Sequence, residues 1–165
     1  MNNLVDEINQ VMTRSYQGFC HYRKCSGAIK ANFLDEIAAL IEKSAATLID
    51  VAMTETNLPE ARLAGERART CNQLRQFSTM LREGSWVDAR IDTAQPDRQP
   101  LPKPDIRKMN VPIGPVVVFG ASNFPLAYST AGVDAAAALA AGCSVVLRGH
   151  PAHPKTSLAV AALIE

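Results

Sequence analysis

The chain of 165 residues predicts an α/β fold: a group of helices followed by the first βαβ unit of a doubly wound parallel sheet. Three observations carry that expectation. Apolar residues recur at helical spacing through the first half of the chain. Two short β-branched runs, Val116-Val117-Val118-Phe119 and Ser144-Val145-Val146-Leu147-Arg148, stand in the last third. Between them lies an alanine-rich stretch of helical length.

Residues 1–84 read as helical. Ile8, Val11 and Met12 share one helical face, as do Phe33, Ile37, Leu40 and Ile41. Asn32 is placed to cap the latter helix, with Asp35 and Glu36 at the positive end of its dipole. The helix through Leu48, Val51 and Ala52 should stop at Asn57-Leu58-Pro59, because proline pushes the residue before it out of helical geometry. Another should begin at Pro59-Glu60 and run past Leu74 and Phe77 to Gly84.

Residues 85–110 change character. Trp86, Val87, Ala89 and Ile91 form a β-like run, and Pro96, Pro100, Pro102 and Pro104 then exclude a helix. With a returning strand over 107–111, the segment reads as an extended arm or irregular hairpin leaving the body of the domain.

Residues 111–165 hold the βαβ unit. The run 116–119 reads as a strand buried on both faces, followed by a tight turn over 120–125. A helix is expected over about 126–141, closed by Gly142 as a left-handed cap. The second strand, 144–148, should lie parallel to the first after a right-handed crossover. A last helix starts near Pro154 and is expected to be cut off at Glu165. Parallel sheets usually contain more than two strands, so the fold is expected to be truncated, the front of a longer one.

Bulk properties narrow the function. Seventeen basic residues against sixteen acidic ones leave a net charge of +1, which gives no reason to expect nucleic acid or an anionic membrane as partner. Apolar stretches are interrupted well before membrane-spanning length, and residues 1–10 carry Asp6 and Glu7 without a signal-like apolar run. A cytoplasmic location is the expectation. Cys20, Cys25, Cys71 and Cys143 contain no CxxC pair, so free thiols are expected and no metal, with Cys143 buried at a strand start.

In an open α/β sheet, ligands bind beyond the carboxyl ends of the strands, here at 120–125 and 148–154. Small side chains at Ala121 and Ser122 leave room for a ligand near the backbone. No G-x-G-x-x-G is present, so these residues alone point to a nucleotide-like ligand and no further.

Val111-Pro112-Ile113-Gly114-Pro115-Val116, leading to Phe119-Gly120-Ala121-Ser122-Asn123-Phe124-Pro125-Leu126, resembles the strand and N-[FY]-P turn of the aldehyde dehydrogenase superfamily. Ala138 to Cys143 and then Val145-Val146-Leu147-Arg148 resemble the strand that ends in that family's cofactor-binding basic residue. Glu55-Thr56-Asn57-Leu58-Pro59 matches its opening helices. The branch most similar is the NADP-accepting one that includes 2-oxoglutarate semialdehyde dehydrogenases and long-chain aldehyde dehydrogenases.

The resemblance implies roles. Asn123 matches the asparagine whose amide steadies the oxyanion, although capping a helix before Pro125 would also explain it. Phe119, Gly120, Ala121 and Ser122 would line the dinucleotide. Arg148 stands where a lysine commonly holds the adenosine ribose, and a planar guanidinium suits a phosphate. Pro151 replaces the glutamate typical of NAD-preferring members, so the cofactor implied is NADP, with NAD possible. His150 and His153 are near phosphate by position, yet loop histidines beside prolines are commonly exposed and receive no catalytic role. The resemblance further implies a helical part of the cofactor domain at 1–84, an oligomerisation arm at 85–110 and the start of a Rossmann-like sheet at 111–165. A small aldehyde and further copies of the chain are the implied partners of the whole enzyme. The family's nucleophilic cysteine and general-base glutamate belong to Gly-x-Cys and Glu-Leu-Gly motifs not found here, so inactivity of this segment alone is expected. The alternatives are a stand-alone nucleotide-binding or subunit-interaction module, disfavoured by the apolar run 158–164, and a non-functional truncated product.

Overall fold

The computed structural model describes residues 2–164. Four helices open the chain: α1 (Asn2–Tyr22), α2 (Gly27–Lys43), α3 (Ala45–Thr56) and α4 (Glu60–Glu83). Leu34, Ile37, Ala38 and Ile41 of α2 fall at i, i+3, i+4 and i+7, and this stripe packs along α4. The facing stripe of α4 carries Leu74 and Leu81 together with Glu66, Thr70 and Ser78, so it buries polar groups as well.

Helix ends follow local chemistry. Asn57, at φ 54°, and Gly84, at φ 87°, close α3 and α4 in the left-handed region. The start of α2 differs from expectation. Ser26 caps it, its Oγ accepting from the Ile29 amide at 3.3 Å. Asn32 lies inside α2, where its Oδ1 accepts from Arg82 at 2.7 Å, and Asp35 pairs with the same guanidinium. The apolar stripe begins only after the first turn of α2, so periodicity could not mark its start.

Beyond α4 the chain leaves the helical layer. Trp86 and Val87 form a 3₁₀ turn (Ser85–Val87) and not the expected strand, because Gly84 and Asp88 on either side are both left-handed. Strands β1 (Arg90–Asp92) and β2 (Ile106–Lys108) then pair antiparallel, with Arg90 opposite Lys108. An isolated bridge joins Gln95 and Lys103 farther out, and every residue of both strands is exposed.

The second sheet is the βαβ unit. Strands β3 (Val116–Phe119) and β4 (Val145–Arg148) run parallel, Val116 opposite Val145 and Phe119 opposite Arg148. Helix α5 (Val133–Ala140) packs against both strands and against α2 and α4. The strands are not buried on both faces as expected. Val118 is 6% exposed, but Val117 is 43% and Phe119 74% exposed on the opposite face. Helix α6 (Pro154–Ala161) carries proline at its first turn, and residues 162–164 form a turn; Glu165 lies outside the described residues. Among those residues no helix is long and apolar enough to cross a membrane.

One element departs clearly from its expected form. The helix anticipated from 126 begins only at Val133, and 122–132 is a compact coil. Within it the Leu126 and Ala127 amides donate to a carboxylate of α4, and the Ala127 carbonyl accepts from Val133. Gly132 makes the coil possible. A Cβ there would sit 2.5 Å from the Ala127 carbonyl oxygen, closer than atoms tolerate. Gly132→Ala is therefore expected to destabilise the fold by about 1–3 kcal/mol. Urea unfolding measures it, and an unchanged midpoint would show that the coil relaxes freely.

Candidate functional site

The register of the parallel strands brings two turns side by side. The Gly120 amide donates to the Arg148 carbonyl at 3.0 Å, extending the ladder past the last strand pair. A Cβ at Gly120 would lie 3.2 Å from the His150 nitrogen, so a side chain there would crowd the second turn. Between the turns is an open cleft of about 300 Å³ lined by Phe119, Gly120, Arg148, Gly149, His150 and Pro151. Its walls contain one permanent cation and no carboxylate. Arg148 is exposed and its guanidinium donates to the Gly149 carbonyl.

Five residues singled out from the sequence, Phe119, Gly120, Arg148, His150 and Pro151, thus share one cleft. Ala121, Ser122 and Asn123 are not among its lining. Ala121 is half-buried, its amide bound to the Tyr128 carbonyl at 2.9 Å. Ser122 and Asn123 are exposed. No helix begins at Pro125, so Asn123 caps nothing and its side chain is left for other work.

The first turn is held by α4. Glu66, 6% exposed, accepts the Leu126 and Ala127 amides on Oε2 at 3.2 and 3.3 Å. Arg62 donates to the Asn123 carbonyl at 2.7 Å and lies 5.0 Å from the centre of the Phe124 ring. Thr70 bonds the Leu126 carbonyl at 3.3 Å, and Arg69 reaches the Tyr128 hydroxyl at 2.9 Å. Successive turns of one helix therefore grip successive groups of the turn.

The second turn is held by α3. Glu55 accepts the Lys155 amide at 2.8 Å, the Thr156 amide at 2.7 Å and the Thr156 hydroxyl at 2.8 Å. This caps α6 from a helix about a hundred residues earlier, anion against positive helix end. Burial by itself would raise the Glu55 carboxyl, but the Thr156 and Lys155 hydrogen bonds outweigh it and hold its pKa below the ordinary value.

His153 corrects an expectation. It is fully buried, not exposed, because it holds the N-cap position of α6 with its ring turned inward. His150 is half-buried at the cleft, its Nδ1 accepting the Ala152 amide at 3.1 Å. Cys143 is buried just before β4, and Cys20, Cys25 and Cys71 are likewise free thiols.

Sequence reasoning missed Glu66, Arg62 and the capping role of Glu55. Arg62, Glu66 and Thr70 follow one another at i, i+4 and i+8, which marks a polar face. Nothing in that spacing says the face is turned inward.

A layer of helices beside a parallel βαβ unit with an excursive hairpin is the class to which the comparisons also lead. The chain belongs to the aldehyde dehydrogenase family, whose model matches residues 3–165. It is 52% identical over 161 residues to the alpha-ketoglutaric semialdehyde dehydrogenase of Acinetobacter baylyi, covering 98% of this chain and 31% of that protein. It is 50% identical over 151 residues to alpha-ketoglutaric semialdehyde dehydrogenase 2 of Azospirillum brasilense, covering 92% and 29%. The chain thus spans about a third of the length of these relatives. Among solved structures, an aldehyde dehydrogenase of Brucella melitensis biovar abortus matches with a TM-score of 0.81 at 22% identity, over 97% of this chain and 31% of that one. Lactaldehyde dehydrogenase of Escherichia coli matches with a TM-score of 0.81 at 19% identity, over 96% and 31%.

Glu55 offers a pH test. Its folded pKa is lowered, so its contribution is present above the unfolded value of about 4.5 and is lost as pH falls through the folded one. The stability gap between wild type and Glu55→Gln should be widest near neutrality and close progressively below pH 4.5. Urea unfolding at stepped pH measures it; a gap independent of pH would mean the carboxylate charge contributes nothing.

Proposed function

We propose that this chain builds one wall of the dinucleotide cleft of an enzyme oxidising an aldehyde to a carboxylate, and that it supplies the amide that steadies the oxyanion. The observation that carries this reading is the cleft at the carboxyl ends of β3 and β4, lined by Phe119, Gly120, Arg148, His150 and Pro151. The fit to a dinucleotide is physical. Gly120 leaves the backbone bare where a Cβ would crowd His150, and Arg148 offers a planar cation without a carboxylate in the lining.

When bound, the nicotinamide dinucleotide accepts the hydride. The remaining work falls to the protein. Arg148 holds the ribose end, and proline at 151 leaves no negative charge to repel a second phosphate, so NADP is preferred over NAD. Phe119 and Gly120 form the surface over which the cofactor lies. Asn123, exposed and free of capping duty, donates its side-chain N–H to the aldehyde oxygen as negative charge develops there. Covalent attack and deacylation need a cysteine and a glutamate that this segment does not supply. The identities of 52% and 50% to the two semialdehyde dehydrogenases support α-ketoglutaric semialdehyde as the aldehyde of the whole protein. In the same reading residues 1–84 belong to the cofactor domain, and the exposed β1–β2 hairpin at 85–110 pairs with another copy of the protein.

Two expectations follow. Titration of the chain with NADP and with NAD by calorimetry should show tighter binding of NADP, and Arg148→Ala should weaken NADP about tenfold while changing NAD little. Equal loss for both cofactors would remove Arg148 from phosphate recognition. In the whole protein, Asn123→Ala should lower kcat by about 10²–10³ with cofactor affinity unchanged. Stopped-flow turnover with the semialdehyde checks this, and a near-normal kcat would sink the oxyanion role.

A further inference from the structure

His153 is the most completely buried ionisable side chain near the cleft, and nothing in the proposed chemistry uses it. Its relative exposure is 0%, and its ring joins two loops that are far apart in sequence. Nε2 lies 2.8 Å from the carbonyl oxygen of Ala121. A carbonyl only accepts, so Nε2 must carry the proton. Nδ1 is buried and has no hydrogen-bond partner among the described residues. A proton on Nδ1 would be a buried N–H without an acceptor, so the surroundings select the Nε2–H tautomer. The His150 ring stacks on the His153 ring with centroids 5.7 Å apart.

We propose that His153 is a positioning residue that, through its Nε2–H, latches the turn after β3 to the turn after β4. The backbone of His153 is anchored independently of its ring. Its amide bonds the His150 carbonyl at 3.2 Å and its own carbonyl accepts from Ser157 at 3.2 Å. Glu55 fixes the following turn of α6 to α3. The ring therefore projects from a fixed point, and the Ala121 carbonyl is what it fixes. Ala121 is followed directly by Ser122 and Asn123, both exposed, so the latch sets where the Asn123 amide stands relative to the cleft. A histidine suits this task better than a shorter hydroxyl because it spans the gap while filling the volume beneath the turn.

The functional consequence rests on the dinucleotide reading above; the tautomer and the latch do not. The experiment uses the chain with ¹⁵N-labelled histidine and a long-range ¹H–¹⁵N spectrum near neutral pH. His153 should show a protonated Nε2 and an unprotonated Nδ1, with the Nε2 proton protected from exchange. An Nδ1–H tautomer, or a ring that exchanges freely, would overturn the proposal. Variants then separate positioning from packing. Glutamine places an amide N–H close to where Nε2 stands, whereas asparagine is too short. His153→Gln should keep the exchange protection of the Ala121 amide, which donates to the Tyr128 carbonyl at 2.9 Å, and hold the NADP Kd within about threefold of wild type. His153→Asn should lose that protection and raise the Kd about tenfold, the size of one lost hydrogen bond. Equal effects from the two variants, in either direction, would overturn the latch. If the wild-type chain binds no dinucleotide, the functional reading falls while the tautomer and the exchange protection still decide the latch.

Discussion

The buried carboxylate of Glu66 is the constraint from which the geometry of the first turn follows. A carboxylate that is 6% exposed must have its oxygens occupied, and the partners it finds are the amides of Leu126 and Ala127, sixty residues downstream, on Oε2 and the Arg62 guanidinium at 3.5 Å on Oε1. One helical bond does form there, Tyr128 amide to Phe124 carbonyl, but the Tyr128 carbonyl is taken by the Ala121 amide and the Ala127 carbonyl by Val133, so no second turn can follow. The chain completes a coil instead, and α5 starts at Val133, once Gly132 has turned the backbone against the Ala127 carbonyl. Removing the Glu66 oxygens would leave two buried donors unmet, a larger cost than the hydrogen bonds themselves contribute.

Glu55 repeats the device on the second turn. Its carboxylate takes the amides of Lys155 and Thr156 and so determines where α6 begins. The helical half of the chain therefore does more than cover the sheet. It reaches over with two acids and holds the backbone of both turns at the sheet's carboxyl end, and a backbone held in this way keeps its position when a ligand arrives. With Gly120 also bonded to the Arg148 carbonyl, the two turns behave as one rigid lip around the cleft.

Much of the architecture was legible in the sequence because it depends on local rules. The proline after Leu58 and the glycine at 84 end helices by backbone geometry alone, and both ends lie where expected. The two apolar runs became the parallel pair, since their spacing leaves room for a crossover helix. What escaped depends on contacts distant in sequence. The alanine-rich stretch looked helical from 126 because propensity knows nothing of the Ala121 amide that takes the Tyr128 carbonyl. His153 looked like a loop histidine because sequence does not show that its ring turns beneath Ala121. Cleft residues were found through a family resemblance and a rule about strand ends; the acids that position them carried no signal beyond helical spacing.

The open face of the small sheet bears on the proposed function. Val117 and Phe119 share that face with Val146 and Arg148, since residues paired across a parallel ladder point the same way. An aromatic ring 74% exposed at the end of a strand gains nothing from water, and two strands alone are a marginal sheet. The same face joins an apolar surface, at Phe119, to a cation, at Arg148, within one cleft. That pairing suits a ligand which is flat and apolar in one part and anionic in another, as a dinucleotide is. Selectivity between phosphorylated and plain ribose then turns on charge, because an exposed guanidinium with no acid beside it in the cleft keeps its attraction for a phosphate. An acid at position 151 would oppose that attraction by an interaction of the same order, about 4 kcal/mol for charges 4 Å apart near a protein surface and less with screening. Proline at 151 removes the opposing term without adding a donor of its own, so in the proposed reading the preference for the more charged cofactor rests on Arg148.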